Sequence, residues 1–572
     1  MTTIFDAPEE FATTALAGFS SIYARNVRLV KGGVVRSTKV PKGKVAVVIG
    51  GGSGHYPAFA GYVGPGMADA AVAGDVFASP STAAVARVCR QADQGGGVLL
   101  GFGNYAGDVL NFGVAAERLR AEGIDVRIVP VTDDVASASA ETPSKRRGIA
   151  GDLVVFKIAG AAAEAGLNLD QVESVTRLAN DRTVSFGVAF GGCTLPGAKA
   201  PLFAVPKGEM ALGLGIHGEP GIREEKMVSA SEFAKLLVGK LLAERPADVR
   251  KVAPVLNGLG STKYEELFVL WVAVEKELKA AGLEIVDPEC GEFVTSLDMQ
   301  GCSLTLMWLN DELETYWRAP CDAPVLRKGA IIAAEPATDE IKVEDGPQMF
   351  APASDASKES GKCIARLIGE IAEALKEAED ELGRIDAFAG DGDHGQGMRR
   401  GSAAADEAAK TAVAAGAGAA SVLAAAGDAW ADRAGGTSGA IWGLLLRSWS
   451  NAFDDETAPS DATIVDGARR ALDGVTRLGR ARVGDKTLVD ALVPFVETLE
   501  RELAAGKRLI EAWQAAAKAA TDAAEATSSL TPKLGRARPL AEKSIGHPDA
   551  GAVSLALTAR VTDGFLLQSA KA

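Results

Sequence analysis

All four histidines of this 572-residue chain lie in glycine-flanked motifs. They are His55 in GGGSGHYP, His217 in GIHGEPG, His394 in GDGDHG and His547 in IGHPDAG. Glycine lets the backbone approach a ligand closely, and an imidazole can move a proton, bind a metal or act as a nucleophile. A chain of this length normally places some histidines on its surface. This distribution therefore indicates an enzyme with two separate sets of chemical groups.

Two of the motifs near the start of the chain follow predicted strands. GGGSGH ends at His55 after the run KVAVVIG, and NYAGD ends at Asp108 after GVLLGFG. Ligands of α/β sheets bind at the carboxyl ends of strands, so both side chains are expected in one crevice. A dinucleotide fingerprint is disfavoured because Pro57 interrupts the helix it needs, which favours a small ligand bound by His55. A helix N-cap is an equal alternative for Asp108.

His217 lies between two glycine turns in LGLGIHGEPG. A neutral imidazole can add to a ketone carbon and form a hemiaminal, which would hold a ligand too small to bind tightly by contacts alone. The residues alone indicate a metal ligand as readily.

The second half of the chain carries acidic and glycine-rich motifs. Asp386, Asp391 and Asp393 lie close together in DAFAGDGDHG, which suits Mg²⁺ or Ca²⁺, with solvated acidic turns as the alternative. GGTSG (435–439) opens a predicted helix whose backbone N–H groups can cradle a phosphate. With an arginine in GRA (535–537) and another acid in SIGHPDAG, these motifs indicate phosphoryl transfer.

The elements that must position these motifs divide the chain into two classes of structure. Residues 1–333 alternate strands, glycine turns and helices, an α/β pattern with two predicted subdomains at about 1–191 and 192–333. Residues 334–358 have the Pro, Asp, Glu and Ser content of a linker. Residues 359–572 are alanine-rich with eight predicted helices, which favours an all-α closed bundle or barrel.

Within the α/β part, we predict strands and one hairpin from alternating or continuous apolar runs. The strands are predicted at 44–50, 97–103, 125–131 and 183–190, and the hairpin at 303–317.

Composition restricts the partners. The net charge of −15 argues against a nucleic-acid or anionic-membrane surface, and no run of about 18 apolar residues predicts a membrane span. The six cysteines form no CxxC pair, which predicts reduced thiols. With no signal-peptide pattern at the N-terminus, we expect a cytoplasmic enzyme.

Taken together and in order, the motifs resemble those of the single-chain, ATP-dependent dihydroxyacetone kinases. The matching segments are GGGSGH, NYAGD, GIHGEPG, GDGDHG, GDKT and SIGHPDAGA, and they span essentially the whole chain. The resemblance implies a ketose-binding α/β region followed by an eight-helix barrel that binds nucleotide, commonly in a homodimer. It also implies ATP-dependent phosphorylation of a primary hydroxyl of a short-chain ketose.

The resemblance assigns roles to residues of the ketose region. His217 would form the covalent hemiaminal with the ketose carbonyl. His55 and Asp108 would hydrogen-bond and polarise the sugar hydroxyls, with Asp108 as general base. Gly52 and Ser53 would line the same pocket.

It likewise assigns roles in the helical region. Asp386, Asp391 and Asp393 would hold two Mg²⁺ ions that bridge the phosphates of ATP. The residues implied around the nucleotide are His394, Thr437, Ser438, Gly479, Leu488, Arg536 and Asp549.

Two departures from the family pattern bear on the substrate. Tyr56 stands where the family usually has glutamate, and Gly103 stands where it usually has lysine. Loss of the lysine removes a cation from the substrate pocket and leaves room for about one more hydroxymethyl group. We therefore expect a four-carbon ketose such as erythrulose, with dihydroxyacetone a close second.

Three alternatives remain open at this point. One is a relay driven by phosphoenolpyruvate, in which the helical domain keeps ADP bound. Another is a non-catalytic ketose-binding regulator. The last is a side activity as an FAD-AMP lyase, which cyclises FAD.

Overall fold

The computed structural model divides the chain into two compact units, Met1–Lys342 and Val343–Ala572. The first unit is α/β and the second is all-helical, which confirms the predicted fold class. The structure describes residues 2–331, 335–338, 350–388, 390, 392–479, 481–533 and 541–569. Asp391 and Arg536, two of the predicted site residues, lie outside the described residues.

The first sheet of the α/β unit carries the glycine motifs. Its strands are β1 (Val27–Val30), β2 (Gly33–Arg36), β3 (Ala46–Ser53), β4 (Ala70–Val76), β5 (Val98–Gly103) and β6 (Val126–Val131). They are arranged in the order β1-β2-β4-β3-β5-β6, and the four strands from β4 to β6 run parallel. Buried Val, Ile and Leu form continuous runs in β3 and β5, as in parallel strands that are covered on both faces.

The second sheet is built mainly from antiparallel strands. They are β7 (Thr183–Ala189), β8 (Glu209–Leu212), β9 (Arg223–Lys226), β10 (Lys251–Gly258), β11 (Glu284–Ile285), β12 (Glu289–Gly291) and β13 (Gly301–Leu309). The order is β11-β10-β13-β7-β8-β9, and β12 also pairs with β10. A short ribbon of β14 (Cys321–Asp322) and β15 (Arg327–Lys328) follows.

The strand β7 belongs to the second sheet, although the predicted boundary at about residue 191 assigns it to the first subdomain. The sequence analysis places this strand in the subdomain 1–191, but its residues pair with β13, Ala189 opposite Gly301. The chain therefore enters the second sheet at Thr183. A partner this far downstream leaves no trace in the local apolar pattern.

Helices pack on both sheets of the first unit. They are α1 (Phe11–Ile22), α2 (Thr82–Ala92), α3 (Ala106–Ala121), α4 (Gly151–Glu164), α5 (Leu169–Asp181), α6 (Ala230–Leu242), α7 (Tyr264–Ala280) and α8 (Asp311–Arg318). The helix α4 contacts β3 and β5 of the first sheet and also β7 of the second. It is buried from Gly151 to Ala163, so it forms the centre of the unit.

The predicted hairpin at 303–317 is wrong, because β13 is followed by α8. The side chain of Asn310 accepts a hydrogen bond from the backbone N–H of Leu313 at 2.8 Å and caps the helix. Asp311, Glu312 and Glu314 lie in the first turn, where carboxylates interact favourably with the helix dipole. These helix-start signals outweigh the alternation that suggested a second strand.

The second unit contains eight long helices and two short ones among its described residues. They are α9 (Asp355–Glu377), α10 (Glu379–Asp386), α11 (His394–Ala414), α12 (Ala419–Ala434), α13 (Gly436–Ser450), α14 (Asp461–Gly479), α15 (Val489–Ala504), α16 (Leu509–Ala526), α17 (Ala541–Ser544) and α18 (Ala550–Ser569). The long helices contact one another in chain order, and α18 returns to α9. This closed ring confirms the predicted eight-helix barrel.

The helix α9 starts earlier than predicted, and the helix α18 is long and apolar. The helix α9 begins inside the predicted linker 334–358, because Ser354 caps it by accepting from the backbone N–H of Ser357 at 3.1 Å. The helix α18 is long and apolar enough to cross a membrane by length and composition, over Ala550–Gln568. Half of that stretch is buried, and the helix packs against α9, α15 and α16 as part of the ring.

Asn257 on β10 attaches the loop 293–296 to the second sheet. Its amide nitrogen donates to the carbonyl of Val294 at 2.8 Å and to the Ser303 hydroxyl at 3.1 Å. Its carbonyl oxygen accepts from the backbone N–H groups of Phe293 and Val294 at 2.8 and 3.0 Å. Every hydrogen-bonding position of this buried amide is used, so the loop is held in one place.

Replacing Asn257 with Ala should destabilise the first unit by about 3 kcal/mol, because the buried backbone N–H groups of Phe293 and Val294 lose their acceptor. Hydrogen–deuterium exchange of peptides covering 251–309 measures the loss in this unit separately from the helical one. The control is Asn310→Ala, which removes only an exposed helix cap worth about 1 kcal/mol. Equal losses in the two variants would contradict the anchoring role of Asn257.

Candidate active site

The glycine motifs of the first sheet and the His217 loop meet in one pocket of the α/β unit. An added Cβ at Gly51 would lie 2.5 Å from the ring of Phe59, so only glycine allows this close approach at the end of β3. His55 follows in the next turn and is 3% exposed. The pocket is lined by Gly51, Gly52, His55, Phe59, Gly103, Tyr105, Asp108, Gly148, Asp152, Ile216, His217 and Val294.

The imidazole rings of His55 and His217 contact each other in this pocket. Their Nε2 atoms are 3.0 Å apart, and Nδ1 of His55 donates to the carbonyl of Thr295 at 2.8 Å. The ring of Tyr105 meets His217 edge to face, with 4.6 Å between the ring centroids. Phe77 stacks on His55 at 5.0 Å. Aromatic packing and hydrogen bonds together fix the orientation of both imidazoles.

Glu219 holds the opposite edge of His217. Its carboxylate accepts from Nδ1 of His217 at 2.9 Å and from the backbone N–H of His217 at 3.0 Å. Nη1 of Arg147 lies 3.8 Å from Glu219, and Nη2 of Arg147 donates to Asp134 at 2.7 Å. Burial acts to raise the pKa of Glu219, but His217 and Arg147 outweigh it and hold that pKa well below its ordinary value. Glu219 is therefore ionised, and His217 has a permanent anionic partner.

These hydrogen bonds locate the protons of the two histidines. The Thr295 carbonyl and the ionised Glu219 can only accept, so each histidine carries a proton on Nδ1. Two neutral rings would then direct Nε2 lone pairs at each other across 3.0 Å. A hydrogen bond between them requires one additional proton. In such a hydrogen bond the two Nε2 atoms would share that proton.

Asp108 lies in the same pocket, on the first turn of α3, and is 8% exposed. The N-cap of α3 is Tyr105, so the N-cap alternative for Asp108 is wrong. The structure thus brings Asp108 together with His55 and His217 in one pocket. A carboxylate beside two imidazoles is suited to hydrogen-bond and deprotonate hydroxyl groups.

Of the other residues predicted for the ketose pocket, the two glycines line it and Ser53 does not. Gly52 and Gly103 border the pocket, whereas the Ser53 hydroxyl donates to the Gly74 carbonyl at 2.6 Å and Ser53 does not line the pocket. Tyr56 is half-exposed and packs against Phe19 of α1, with 5.7 Å between the rings. It too does not line the pocket. The Tyr56 departure from the family pattern therefore does not alter the pocket wall.

The space beside Gly103 is not empty. An added Cβ at Gly103 would lie 3.1 Å from the ring of Tyr105 and 3.3 Å from the carbonyl oxygen of Gly148. The surroundings are therefore close at the Cβ position, and the room expected for a further hydroxymethyl group stays a prediction. Compared with a lysine at this position, Gly103 lacks a positive charge.

Sequence reasoning missed three ionisable groups in or beside this pocket: Glu219, Arg147 and Asp152. Glu219 had a usable signal, since it follows His217 by two residues inside the same glycine turn. Asp152 and Arg147 had none. The segment around them reads only as the start of a helix, and their proximity to the pocket depends on the packing of α4.

In the helical unit, several predicted nucleotide-binding residues meet at one end of the ring. His394 is the first residue of α11, and its Nδ1 lies 3.2 Å from the hydroxyl of Ser438 on α13. Its Nε2 lies 3.0 Å from the hydroxyl of Ser554 on α18. The ring of His547 stacks on Phe388 at 3.5 Å. The loops before α11 and α18 therefore lie side by side.

Carboxylates crowd the same end. Asp386 accepts from the backbone N–H of Gly392 at 2.9 Å, and Asp393 is the N-cap residue of α11. Burial raises the pKa of Asp549 to about 7, with smaller contributions from the nearby Asp386 and Asp490. Crowded, partly buried carboxylates of this kind suit a hard divalent cation. Within the described residues, which omit Asp391, no group of three His, Cys, Asp or Glu is arranged to hold a metal.

The remaining predicted residues surround this end or lie outside the described part. An added Cβ at Gly551 would lie 3.1 Å from Asp549 and 3.4 Å from Leu488, so these residues are neighbours. Thr437 is exposed beside Ser438 on the first turn of α13. Gly479 ends α14, where no described atom lies within 4 Å of an added Cβ.

Comparison with known proteins matches both units. The Dak1 domain matches residues 17–325 and the DAK2 domain matches residues 388–562. The chain is 55% identical to the D-erythrulose kinase of Mycolicibacterium smegmatis, over 98% of each chain. It is 53% identical to the L-erythrulose kinase of Pectobacterium atrosepticum, over 97% of this chain and 95% of that protein.

A solved structure gives the same result at the level of the fold. The dihydroxyacetone kinase of C. freundii, in complex with AMP-PNP and Mg²⁺, matches with a TM-score of 0.53 at 29% identity. The match covers 98% of this chain and 99% of that one. With a pocket of paired histidines in an α/β unit, a barrel of eight helices and relatives over its whole length, the chain belongs to the single-chain dihydroxyacetone kinase family.

Proposed function

We propose that this ketose kinase transfers the γ-phosphoryl group of ATP to a primary hydroxyl of a four-carbon ketose held as a hemiaminal on His217. The observation that supports the covalent anchor is the geometry of His217. Glu219 binds its Nδ1 edge, so Nε2 is the nitrogen directed towards His55 in the pocket. A metal-ligand role fits less well, because Nε2 faces another imidazole that is itself held by a backbone carbonyl.

Addition of the ketone requires the shared proton to move. It passes to Nε2 of His55, which frees the lone pair on Nε2 of His217 to attack the carbonyl carbon. The new C–N bond forms as the C=O π bond breaks, and His55 returns the proton to the resulting alkoxide. The alkylated ring of His217 keeps its Nδ1 proton and is cationic. The ionised Glu219 balances that charge throughout.

Phosphoryl transfer then depends on positioning and charge neutralisation. Asp108 would accept the proton of the attacking hydroxyl. Asp386, Asp391 and Asp393 would hold two Mg²⁺ ions, which neutralise phosphate charge when bound. The carboxylates described around Asp386 fit such cations, and the relative crystallised with AMP-PNP and Mg²⁺ supports both ligands.

Further nucleotide contacts are proposed at the same end of the ring. The backbone N–H groups at the start of α13, beside Thr437 and Ser438, would bind phosphate oxygens. The other residues proposed to surround the nucleotide are His394, Gly479, Leu488, Arg536 and Asp549.

A four-carbon substrate is proposed from the relatives and from the pocket. Three relatives above 50% identity are named for erythrulose, one for the D enantiomer and two for the L enantiomer. The absence of a lysine at Gly103 removes a cation from the pocket wall, and dihydroxyacetone remains the second candidate.

Other activities receive less support. A phosphoenolpyruvate relay normally uses separate chains, whereas this chain carries both units. A non-catalytic regulator would have no need to keep the carboxylates around Asp386. Cyclisation of FAD needs the same nucleotide site and a divalent cation, so it is compatible as a side activity of the helical unit.

We propose a homodimer from the exposed side chains of α7 and a cytoplasmic location from the free cysteines. The helix α7 exposes an apolar row, Tyr264, Phe268, Val269 and Val272, at 45, 53, 62 and 69%. A second copy of the chain could cover this row, which supports a homodimer. All six cysteines are free, as expected for a reducing cytoplasm.

The proposed function is tested by measuring kcat/KM with ATP and Mg²⁺ for both erythrulose enantiomers, dihydroxyacetone and glycerol. We expect one erythrulose enantiomer to be preferred, dihydroxyacetone to follow, and glycerol to be poor because it has no carbonyl to trap. Equal turnover of glycerol and the ketoses would contradict the covalent anchor. No phosphorylation of any ketose would contradict the function itself.

His217→Ala should lower kcat/KM for ketoses at least 100-fold and reduce discrimination against glycerol, since binding then relies on non-covalent contacts alone. Carbon-13 NMR with dihydroxyacetone labelled at the carbonyl carbon checks the anchor directly. In the wild-type protein the carbonyl resonance should be replaced by that of a tetrahedral carbon, and in the variant it should persist. An adduct resonance in the variant would contradict the assignment of the hemiaminal to His217.

Asp391→Ala should abolish turnover while leaving the ketone adduct intact, because the carboxylate serves the cation and not the ketose pocket. The same NMR measurement reports the adduct, and a coupled ADP assay reports turnover. Asp406→Ala is the control, since this acid lies on α11 and pairs with Lys410 at 2.7 Å. Full turnover in the Asp391 variant would remove it from the metal site.

A further inference from the structure

One acid of the ketose pocket has no role in the chemistry described above. Asp152 is the second residue of α4, is 3% exposed, and lines the pocket with Asp108 and His217. Its Oδ1 atom is buried and makes no hydrogen bond to any residue that the structure describes. The same holds for the hydroxyl of Tyr105 in the same pocket. Buried polar atoms in native proteins are almost always paired, so two such atoms facing one pocket indicate a ligand with hydroxyl groups.

A purely structural role for Asp152 is already filled by its neighbour. The N-terminus of α4 is capped by Asp133, whose carboxylate accepts from the backbone N–H groups of Ile149 and Gly151 at 2.8 Å each. Asp152 is therefore not needed as the cap. The Oδ1 atom of Asp152 is buried, so bulk solvent does not satisfy it in place of a partner.

The surroundings of Asp152 decide its charge. Burial raises the pKa of Asp152 well above its ordinary value, and the nearby Asp133 and Asp108 raise it further. Burial also raises the pKa of Tyr105 well above its ordinary value, with Glu219 as the next contribution. Both shifts favour the protonated forms, a carboxyl group and a phenol. A neutral carboxyl group offers one donor and one acceptor, which is what a hydroxyl group needs.

Backbone packing brings Asp152 to the wall of the pocket that differs from the family pattern. An added Cβ at Gly148 would lie 2.5 Å from the Cα of Gly103, so the end of β5 and the start of α4 are in direct contact. Asp152 lines the same pocket as Gly103, the position where the resemblance leads one to expect lysine. In place of an ammonium group, the pocket presents an acid and a phenol.

We infer that Asp152 hydrogen-bonds the third hydroxyl group of a four-carbon ketose, the group that dihydroxyacetone lacks, and so sets the preference for chain length. This assignment rests on the proposed ketose kinase function. Asp108 and the two histidines serve the carbonyl and the reacting hydroxyl, which all short ketoses share. Of the two acids that line the pocket, Asp152 is the one left for the additional hydroxyl group.

The test is the ratio of kcat/KM for the preferred erythrulose enantiomer to that for dihydroxyacetone. Asp152→Ala should lower this ratio at least about tenfold, because a site built to hydrogen-bond a hydroxyl loses its selectivity when the partner is removed. Alanine only adds room, so a steric effect cannot cause the loss. Asp152→Asn should keep the ratio within about threefold of wild type, since the amide also offers a donor and an acceptor.

Asp133→Asn is the matched control, a buried acid at the same helix end that does not line the pocket. It should lower thermal stability and leave the ratio unchanged. Wild-type enzyme that favours dihydroxyacetone, an Asp152→Ala ratio within twofold of wild type, or equal losses with Ala and Asn would each overturn the assignment. If the wild type phosphorylates no ketose, the proposed function itself fails, a separate result from these.

Discussion

The hydrogen bond between Nε2 of His55 and Nε2 of His217 can form only where loops from two different sheets meet. His55 follows β3 of the first sheet, and His217 lies between β8 and β9 of the second. The loop 293–296 joins them, because Thr295 accepts from His55 and the hydroxyl of Ser296 donates to the carbonyl of Ile216. Asn257 fixes that loop to β10. Much of the architecture of the α/β unit therefore serves one contact of 3.0 Å.

A buried carboxylate would normally lose its charge, and the pocket prevents this for one acid while allowing it for another. Glu219 keeps its charge because His217 and Arg147 lie against it, and Asp134 in turn holds Arg147. Asp152 has acids as its charged neighbours, so its neutral form is favoured. Both acids are buried, but their neighbours differ. Glu219 is therefore held as an anion beside His217, whereas the hydrogen-bond-donating form of Asp152 is favoured.

Fold class, the helical ring and the glycine-flanked histidines were predictable, because each is encoded in short segments with a period or a motif. Three features were not. The strand β7 pairs with Gly301 far downstream, and α8 replaces a predicted strand because Asn310 caps it. Asp152 lines the pocket from the buried helix α4, which packs between the two sheets. Strand pairing and the packing of helices depend on tertiary structure, which local sequence patterns do not contain. At 303–317 two local signals conflict, and the helix cap at Asn310 outweighs the apolar alternation.

In the proposed mechanism, covalent anchoring and substrate choice are separable. The proposed bond to His217 would form at the carbonyl carbon, which every short ketose has in the same chemical form, so it would select ketones over alcohols and nothing finer. Chain length and stereochemistry must then be read by groups that contact the rest of the molecule. Those groups lie on α3 and α4, whereas the anchor lies on the second sheet. Relatives can therefore change substrate by altering one wall of the pocket while the anchor and the nucleotide unit stay the same.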